Sequence, residues 1–204
     1  MTAQVSHEHH YVPEWYQKRF LIGGATELHR LALKPVRIQA PNGHSYYEKN
    51  YLRRPPSRLF RTKDLYLLRF GRHETDAIEK RFFGVVDRVG YRAIDFFAKF
   101  DGPTKGIQEA HRDILSYMSA QRFRTPRGLD WLKGQSNRAH QTVLLLLTQI
   151  FRAHETMWME GIWEIVRADN SPTKFIVSDS PVKFYNIHMP PGLVPYPGTE
   201  GNDC

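Results

Sequence analysis

Apolar residues recur at intervals of three and four in three long stretches of the chain. This spacing predicts amphipathic helices over residues 75–100, 107–123 and 137–160. Thr75 is placed to act as the N-cap of the first helix, since a threonine hydroxyl can accept a bond from a free N–H of the first turn. A shorter helix is predicted over 125–133, where a proline stands at the first helical position.

Shorter segments alternate between apolar and polar residues, which is typical of strands. The pattern predicts an antiparallel hairpin that pairs residues 162–167 with residues 173–178. A small hairpin or irregular β segment is predicted over 27–39, and a strand over 63–70. The fold class is therefore α+β, with about three longer helices packed against a small antiparallel sheet.

Length and composition indicate one globular domain. The 204 residues suit a single core, which we place at 1–188, and the Pro/Gly-rich residues 189–204 predict an irregular tail. Because Cys204 is the only cysteine, an internal disulfide and a cysteine-based zinc cluster are excluded. With no apolar run of membrane-spanning length and no signal peptide, the sequence predicts a cytoplasmic protein without a membrane partner.

The net charge of +8 comes from the first hundred residues, which carry 18 basic and 10 acidic side chains. Eight bases and one acid fall between Lys49 and Arg72, with aromatic residues interleaved or adjacent. Cations that follow phosphates and rings that stack on bases predict a single-stranded nucleic-acid surface, with the bases Arg53, Arg54, Arg58, Arg61 and Lys63 as its contacts. The alternative is a solvated basic loop whose aromatic residues belong to the core.

Several short motifs follow one another along nearly the whole chain. The opening His9-His10-Tyr11-Val12-Pro13 is followed by Leu65-Tyr66, Ile78-Glu79-Lys80, Gln121-x-x-Arg124-Thr125-Pro126, Trp163 and Ser178-Asp179-Ser180-Pro181-Val182. Taken in this order, the motifs resemble the bacterial family called domain of unknown function 4238. The family has no assigned activity to carry over. Since its members continue through further β segments, the resemblance implies that this chain is shortened at its C-terminal end.

Residues of these motifs carry the candidate chemistry. His10, Glu79 and Asp179 offer the oxygen and nitrogen ligands that Mg²⁺, Mn²⁺ or Zn²⁺ accept, so a divalent metal is the predicted cofactor if they converge. His9, His10 and Asp179 are the candidate catalytic residues. The alternative for both histidines is a hydrogen-bonded structural pair. Without a Walker A loop or a GxGxxG motif, no nucleotide cofactor is expected.

Three charged side chains, Asp179, Arg122 and Arg124, carry predictions about their contacts. Pro181 lacks the N–H that an Asx turn at Asp179 would use, so we predict a contact from that carboxylate to His9, His10, Arg122 or Arg124. Arg122 and Arg124 precede the N-terminus of the short helix and are predicted to seat a phosphate of the nucleic acid, or else to satisfy carbonyls at the end of their own helix.

Together these features suggest a protein that handles nucleic acid, with a metal-dependent phosphodiesterase or nuclease as the first hypothesis. The alternative is a non-catalytic interaction or nucleic-acid-binding module whose motif residues only stabilise the fold. The two hypotheses differ in whether His9, His10, Glu79 and Asp179 meet in one cleft.

Overall fold

The helices of the computed structural model follow the apolar periodicity of the sequence. The structure describes residues 5–102, 104–166, 170–173 and 175–182. Its helices are α1 (Glu14–Lys18), α2 (Gly84–Ala98), α3 (Ile107–Arg124), α4 (Pro126–Ser136) and α5 (His140–Met159). A π-helical turn, Ile78–Phe83, leads directly into α2, and a 3-10 turn covers Pro56–Arg58. The predicted helices are confirmed, with small shifts at their ends.

One of these shifts concerns the start of the first predicted helix. Thr75 ends a strand, where it pairs with Leu68, and the helical turns begin only at Ile78. The threonine hydroxyl still accepts a bond from the Ala77 N–H at 3.2 Å. The predicted helix therefore starts about one turn too early. The backbone of Thr75 is paired in a strand, and apolar periodicity does not report strand pairing.

In the part of the chain that the structure describes, the strands form four two-stranded antiparallel sheets instead of one small sheet. They pair as β1 (Glu8–His10) with β6 (Arg61–Lys63), β2 (Leu28–Leu31) with β5 (Tyr51–Arg54), β3 (Arg37–Gln39) with β4 (Ser45–Tyr47), and β7 (Leu68–Phe70) with β8 (His73–Thr75). The mixed α+β class is thus confirmed. The strand predicted over 63–70 is divided between β6 and β7, since a turn at Asp64 separates them.

The two sheets β2–β5 and β3–β4 are consecutive parts of one long hairpin, residues 28–54, which we call the arm. Backbone bonds from Ala32 N–H to Asn50 O and from Glu48 N–H to Val36 O join the two ladders. The turn is closed at Gly43, whose positive φ of 83° suits a glycine. Every residue of β3 and β4 is exposed, so the outer half of the arm projects into solvent.

The hairpin predicted at 162–167 and 173–178 is not present in the part of it that the structure describes, residues 162–166, 173 and 175–178. Ile162, Phe175 and Ile176 are almost fully exposed there. Alternation marks residues that suit a strand, but a strand also needs a surface on which to bury its apolar face, which the sequence pattern does not supply. The predicted domain end at 188 and the tail 189–204 lie outside the described residues.

The main core lies between β7, the π-helical turn and helices α2 to α5, with Tyr66, Phe83, Leu144 and Leu147 completely buried within it. Helices α2 and α3 approach closely, because Gly90 leaves room for the ring of Tyr117. Among the described residues, none of the helices has the combination of length and apolar character that crossing a bilayer requires.

Candidate functional site

A buried arginine lies where three of the sequence motifs meet. Arg124 is the last residue of α3 and is only 1% exposed. Its Nη1 donates to Asp87 Oδ1 at 2.5 Å, and its Nη2 donates to the His10 carbonyl at 2.8 Å. The guanidinium also lies over the ring of Phe83, with its carbon 4.5 Å from the ring centroid. One side chain therefore connects α2, α3 and the N-terminal strand.

Tyr66 fixes the backbone of the same corner. Its hydroxyl donates to the Arg124 carbonyl at 2.5 Å, in the interior of the protein. The next residue, Thr125, is the N-cap of α4, and its Oγ1 accepts the Gly128 N–H at 3.0 Å. The end of α3 and the start of α4 are thus both held by buried hydrogen bonds, with Arg124 between them.

His9 is completely buried, and both of its ring nitrogens are bonded to the backbone. Nδ1 accepts the Tyr66 N–H at 2.9 Å, while Nε2 faces the Ser6 carbonyl at 3.0 Å and donates to it. Burial lowers the pKa of His9, so the ring is neutral with its proton on Nε2. Acting as a ligand or a general base would require His9 to give up one of these bonds.

Two glutamines hold the residues that follow. Gln121 Nε2 donates to the Tyr11 carbonyl at 2.6 Å. Gln17 Nε2 donates to the Val12 carbonyl at 2.8 Å and to the Leu59 carbonyl at 3.3 Å. Together with the Arg124 bond to His10, these contacts satisfy the carbonyls of three successive residues of the N-terminal segment. Gln17 is the member of this set that sequence reasoning missed, because a lone glutamine carries no signal.

His10 and Glu79 also border this corner. Burial lowers the pKa of His10, and the nearby Glu14 carboxylate opposes that shift. Burial raises the pKa of Glu79 to about 7, against the opposing charge of Arg124. Within the described part of the chain, Glu79 Oε2 is buried without a hydrogen-bond partner. Glu79 is thus a carboxyl group that holds a proton far more readily than an exposed one.

This property makes the stability of the fold depend on pH. The folded state binds the Glu79 proton up to about pH 7, whereas the unfolded chain releases it near the ordinary value of 4.5. Unfolding then releases a proton in this window, so the Glu79 contribution to stability is lost as pH rises through it. We expect Glu79→Gln to stabilise the protein relative to wild type by up to about 3 kcal/mol more at pH 7.5 than at pH 4.5, measured by urea unfolding.

The buried histidines make stability rise with pH, which is opposite to the effect of Glu79. Wild type and variant share these histidines, so their contribution cancels in the comparison. Glu160→Gln, at an exposed carboxylate after α5, is the matched control and should leave the two stability curves parallel. Parallel curves for Glu79→Gln as well would contradict the raised pKa.

Asp179 lies beside this corner, close enough for its charge to add, after burial, to the raised pKa of Tyr11. It is exposed, and its Oδ1 accepts the Ser178 hydroxyl at 3.2 Å. The predicted contact is absent for His9 and Arg124, whose described partners are other groups. The reason is local, since Ser178 Oγ accepts the Ser180 N–H at 3.1 Å and makes the turn bond that Pro181 denies to the aspartate.

The predicted metal ligands His10, Glu79 and Asp179 are therefore not assembled. In residues 5–102, 104–166, 170–173 and 175–182, no group of three or more His, Cys, Asp or Glu side chains is placed to hold a metal ion. The divalent-metal and phosphodiesterase hypotheses stay predictions, and so do the catalytic roles of His9, His10 and Asp179.

The predicted nucleic-acid contacts divide into two groups. The bases of the arm and the neighbouring segment are exposed: Arg53, Arg54, Arg58, Arg61 and Lys63. Arg124, by contrast, is buried against Asp87, so the prediction that it meets a phosphate is wrong. Arg122 is half-buried, and its charge contributes, after burial, to lowering the pKa of His154 to about 4.

Comparison of the chain with protein-family models, with curated proteins and with solved structures gives no match. The resemblance to domain of unknown function 4238 accordingly stays a prediction, as does the C-terminal shortening that it implies.

Proposed function

We propose that this chain is a non-catalytic module that binds single-stranded nucleic acid through the arm and the adjoining strand β6. The observation that carries the proposal is the exposure of five bases, Arg53 to Lys63, beside a projecting hairpin with exposed tyrosines. Cations provide sequence-independent attraction to phosphates, and exposed rings provide stacking surfaces for unpaired bases. The motif residues, in this proposal, stabilise the fold that presents this surface.

The register of the arm brings the two kinds of side chain together. Tyr51 and Arg53 are two residues apart on β5, so they share one face of the hairpin. On β2, Leu31 and His29 stand opposite them on the same face. Tyr51 is 54% exposed even though its hydroxyl bonds to His29, which leaves ring surface available for a base. This face therefore offers a ring and a guanidinium to the same strand of nucleic acid.

The charge of the arm favours an anion over its whole length. Residues 28–54 contain six basic side chains and one acid, Glu48. Both oxygens of Glu48 bond to Arg30, at 2.5 and 3.1 Å, and this pair lowers the pKa of the carboxyl group. The single carboxylate of the arm is thus already neutralised, and it does not repel a phosphate backbone.

The exposed ion pairs beside the arm are weak enough to be exchanged. Arg53 lies 3.6 Å from Glu27, and Arg61 lies 3.5 Å from Glu8, both on the surface. Such pairs contribute only about 0–1 kcal/mol, so a phosphate can replace the carboxylate at little cost. We place this binding in the cytoplasm, which suits a chain with a single cysteine.

The test is the salt dependence of binding to oligo(dT). Replacing Arg53, Arg54 and Arg58 together by alanine should reduce the slope of log K against log[salt] by about 2, because each lost phosphate contact on a single strand accounts for about 0.7. Fluorescence anisotropy at several salt concentrations measures this slope.

A matched control removes the same charge elsewhere. Arg81, Arg88 and Arg92 are exposed bases on the π-helical turn and α2, and their triple alanine variant should keep the wild-type slope. Equal slopes for the two triple variants would place the ligand away from the arm. Tighter binding of duplex than of oligo(dT) would contradict the stacking role of the tyrosines.

A further inference from the structure

A cavity of about 810 Å³ lies at the C-terminal end of α2. It is bordered by that end of α2, the start of α3 and residues 163–165. Its volume is within the range of sites that hold small organic molecules. The cavity shares no residue with the Arg124 corner or with the arm.

Aromatic rings form much of its wall. Phe97 comes from the last turn of α2 and Phe100 from the residues just after it, with ring centroids 6.0 Å apart. Trp163 lines the cavity from the segment after α5. Exposed aromatic faces carry the negative part of the ring quadrupole, so a wall of rings attracts cations that are large and weakly hydrated.

Trp163 is held in place although its neighbours are exposed. Ile162 has full solvent exposure, whereas Trp163 is half-buried. The indole Nε1 donates to the Trp158 carbonyl at 3.3 Å, and the ring meets His111 edge-on, with centroids 4.8 Å apart. These two contacts orient the indole before any ligand arrives, which reduces the entropy lost on binding.

The charge of the lining is opposite to that of the protein. Of the described residues that line the cavity, the acidic ones are Asp101 and Glu164, and none is a lysine or arginine. This is unexpected in a chain of net charge +8, whose basic residues exceed its acidic ones, 29 to 21. Both carboxylates are exposed, so they can approach a ligand without a cost of burying charge.

The geometry points to a binding site for an organic cation, a quaternary or alkylated ammonium group attached to an apolar body. The rings of Phe97, Phe100 and Trp163 would contact the cation and the apolar body, and Asp101 and Glu164 would supply the compensating charge. This site is independent of the proposed nucleic-acid binding, and the two can fail separately.

Isothermal titration calorimetry with benzyltrimethylammonium tests the site. The compound has a neutral carbon isostere of the same shape, neopentylbenzene, in which carbon replaces the charged nitrogen. We expect the cation to bind at least about tenfold more tightly than the isostere, since cation–π contacts and two carboxylates act only on the charge. Equal affinities would overturn the proposal and leave an apolar cavity, and no detectable heat up to about 10 mM cation would overturn it too.

Variants assign the interaction to the residues. Trp163→Leu keeps an apolar side chain but removes the ring, and it should weaken cation binding about fivefold while changing isostere binding little. The double variant Asp101→Asn, Glu164→Gln should do the same, whereas Asp130→Asn, an exposed carboxylate on α4, should have no effect. Because the acidic positions are exposed, these variants are expected to fold, and unchanged affinity in both would refute the assignment.

Discussion

Replacing Arg124 by methionine should destabilise the protein by about 3–5 kcal/mol, the cost of removing one partner from a buried ion pair. Methionine preserves most of the length and the contact with Phe83, but it leaves Asp87 without its cation and the His10 carbonyl without its donor. Guanidinium unfolding followed by circular dichroism measures the loss. The melting temperature should fall by about 10 °C, at ~2–4 °C per kcal/mol for a chain of this size.

Two controls separate geometry from charge. Arg124→Lys keeps the positive charge but not the two-pronged donor, so it should recover only a minor part of the stability, because one ammonium cannot reproduce the bonds to Asp87 and His10. Arg88→Met, at an exposed position on α2, should change stability by less than about 0.5 kcal/mol. A small effect of Arg124→Met would contradict the structural role of the corner.

The same variants distinguish a structural corner from a binding site. In the proposed function Arg124 does not touch the nucleic acid, so folded Arg124→Lys protein should bind oligo(dT) with the wild-type salt slope. A reduced slope in that variant, at a temperature where it is fully folded, would instead mean that the corner opens and takes part in binding.

The long helices could be predicted because a helix that buries one face has apolar residues at intervals of three and four, and this spacing is visible in the sequence. Thr75 shows where this information ends, because the competing pairing with Leu68 depends on a strand seven residues earlier. The arm was less predictable for the same reason. Its strand β2 pairs with β5, at least twenty residues away, and not with the segment that follows β2. Loop closure over that distance leaves no local pattern.

For the candidate site, the ordered motifs indicated which residues matter but not what they do. Arginine is seldom fully buried, so a sequence favours an exposed role for Arg124, and only the structure reveals Asp87 as its partner. Asp87 belongs to none of the motifs, so the sequence gives no sign that its carboxylate pairs with Arg124. The His9 bonds were open to prediction only as an alternative, since both partners are backbone groups that every sequence contains.

The junction between α3 and α4 gives the second large expected effect. A β-carbon at Gly128 would lie 2.4 Å from the Arg122 carbonyl oxygen and 2.9 Å from Phe123 Cα. Both atoms belong to the backbone of the last turn of α3, which the Tyr66 bond to Arg124 holds in place. Since no side chain can rotate away, the helices must separate, and we expect Gly128→Ala to cost at least about 3 kcal/mol.

Gly134 in the same helix provides a control of opposite sign. No heavy atom lies within 4 Å of a β-carbon added there, so Gly134→Ala brings only the helix preference of alanine and should stabilise the protein by about 0.5–1 kcal/mol. The two variants make the same change, glycine to alanine, six positions apart on one helix, so urea unfolding of both tests the α3–α4 contact alone. If Gly128→Ala were also stabilising, α4 could not lie against the end of α3, and the hydrogen bonds that surround Arg124 would lose the support that the junction gives them.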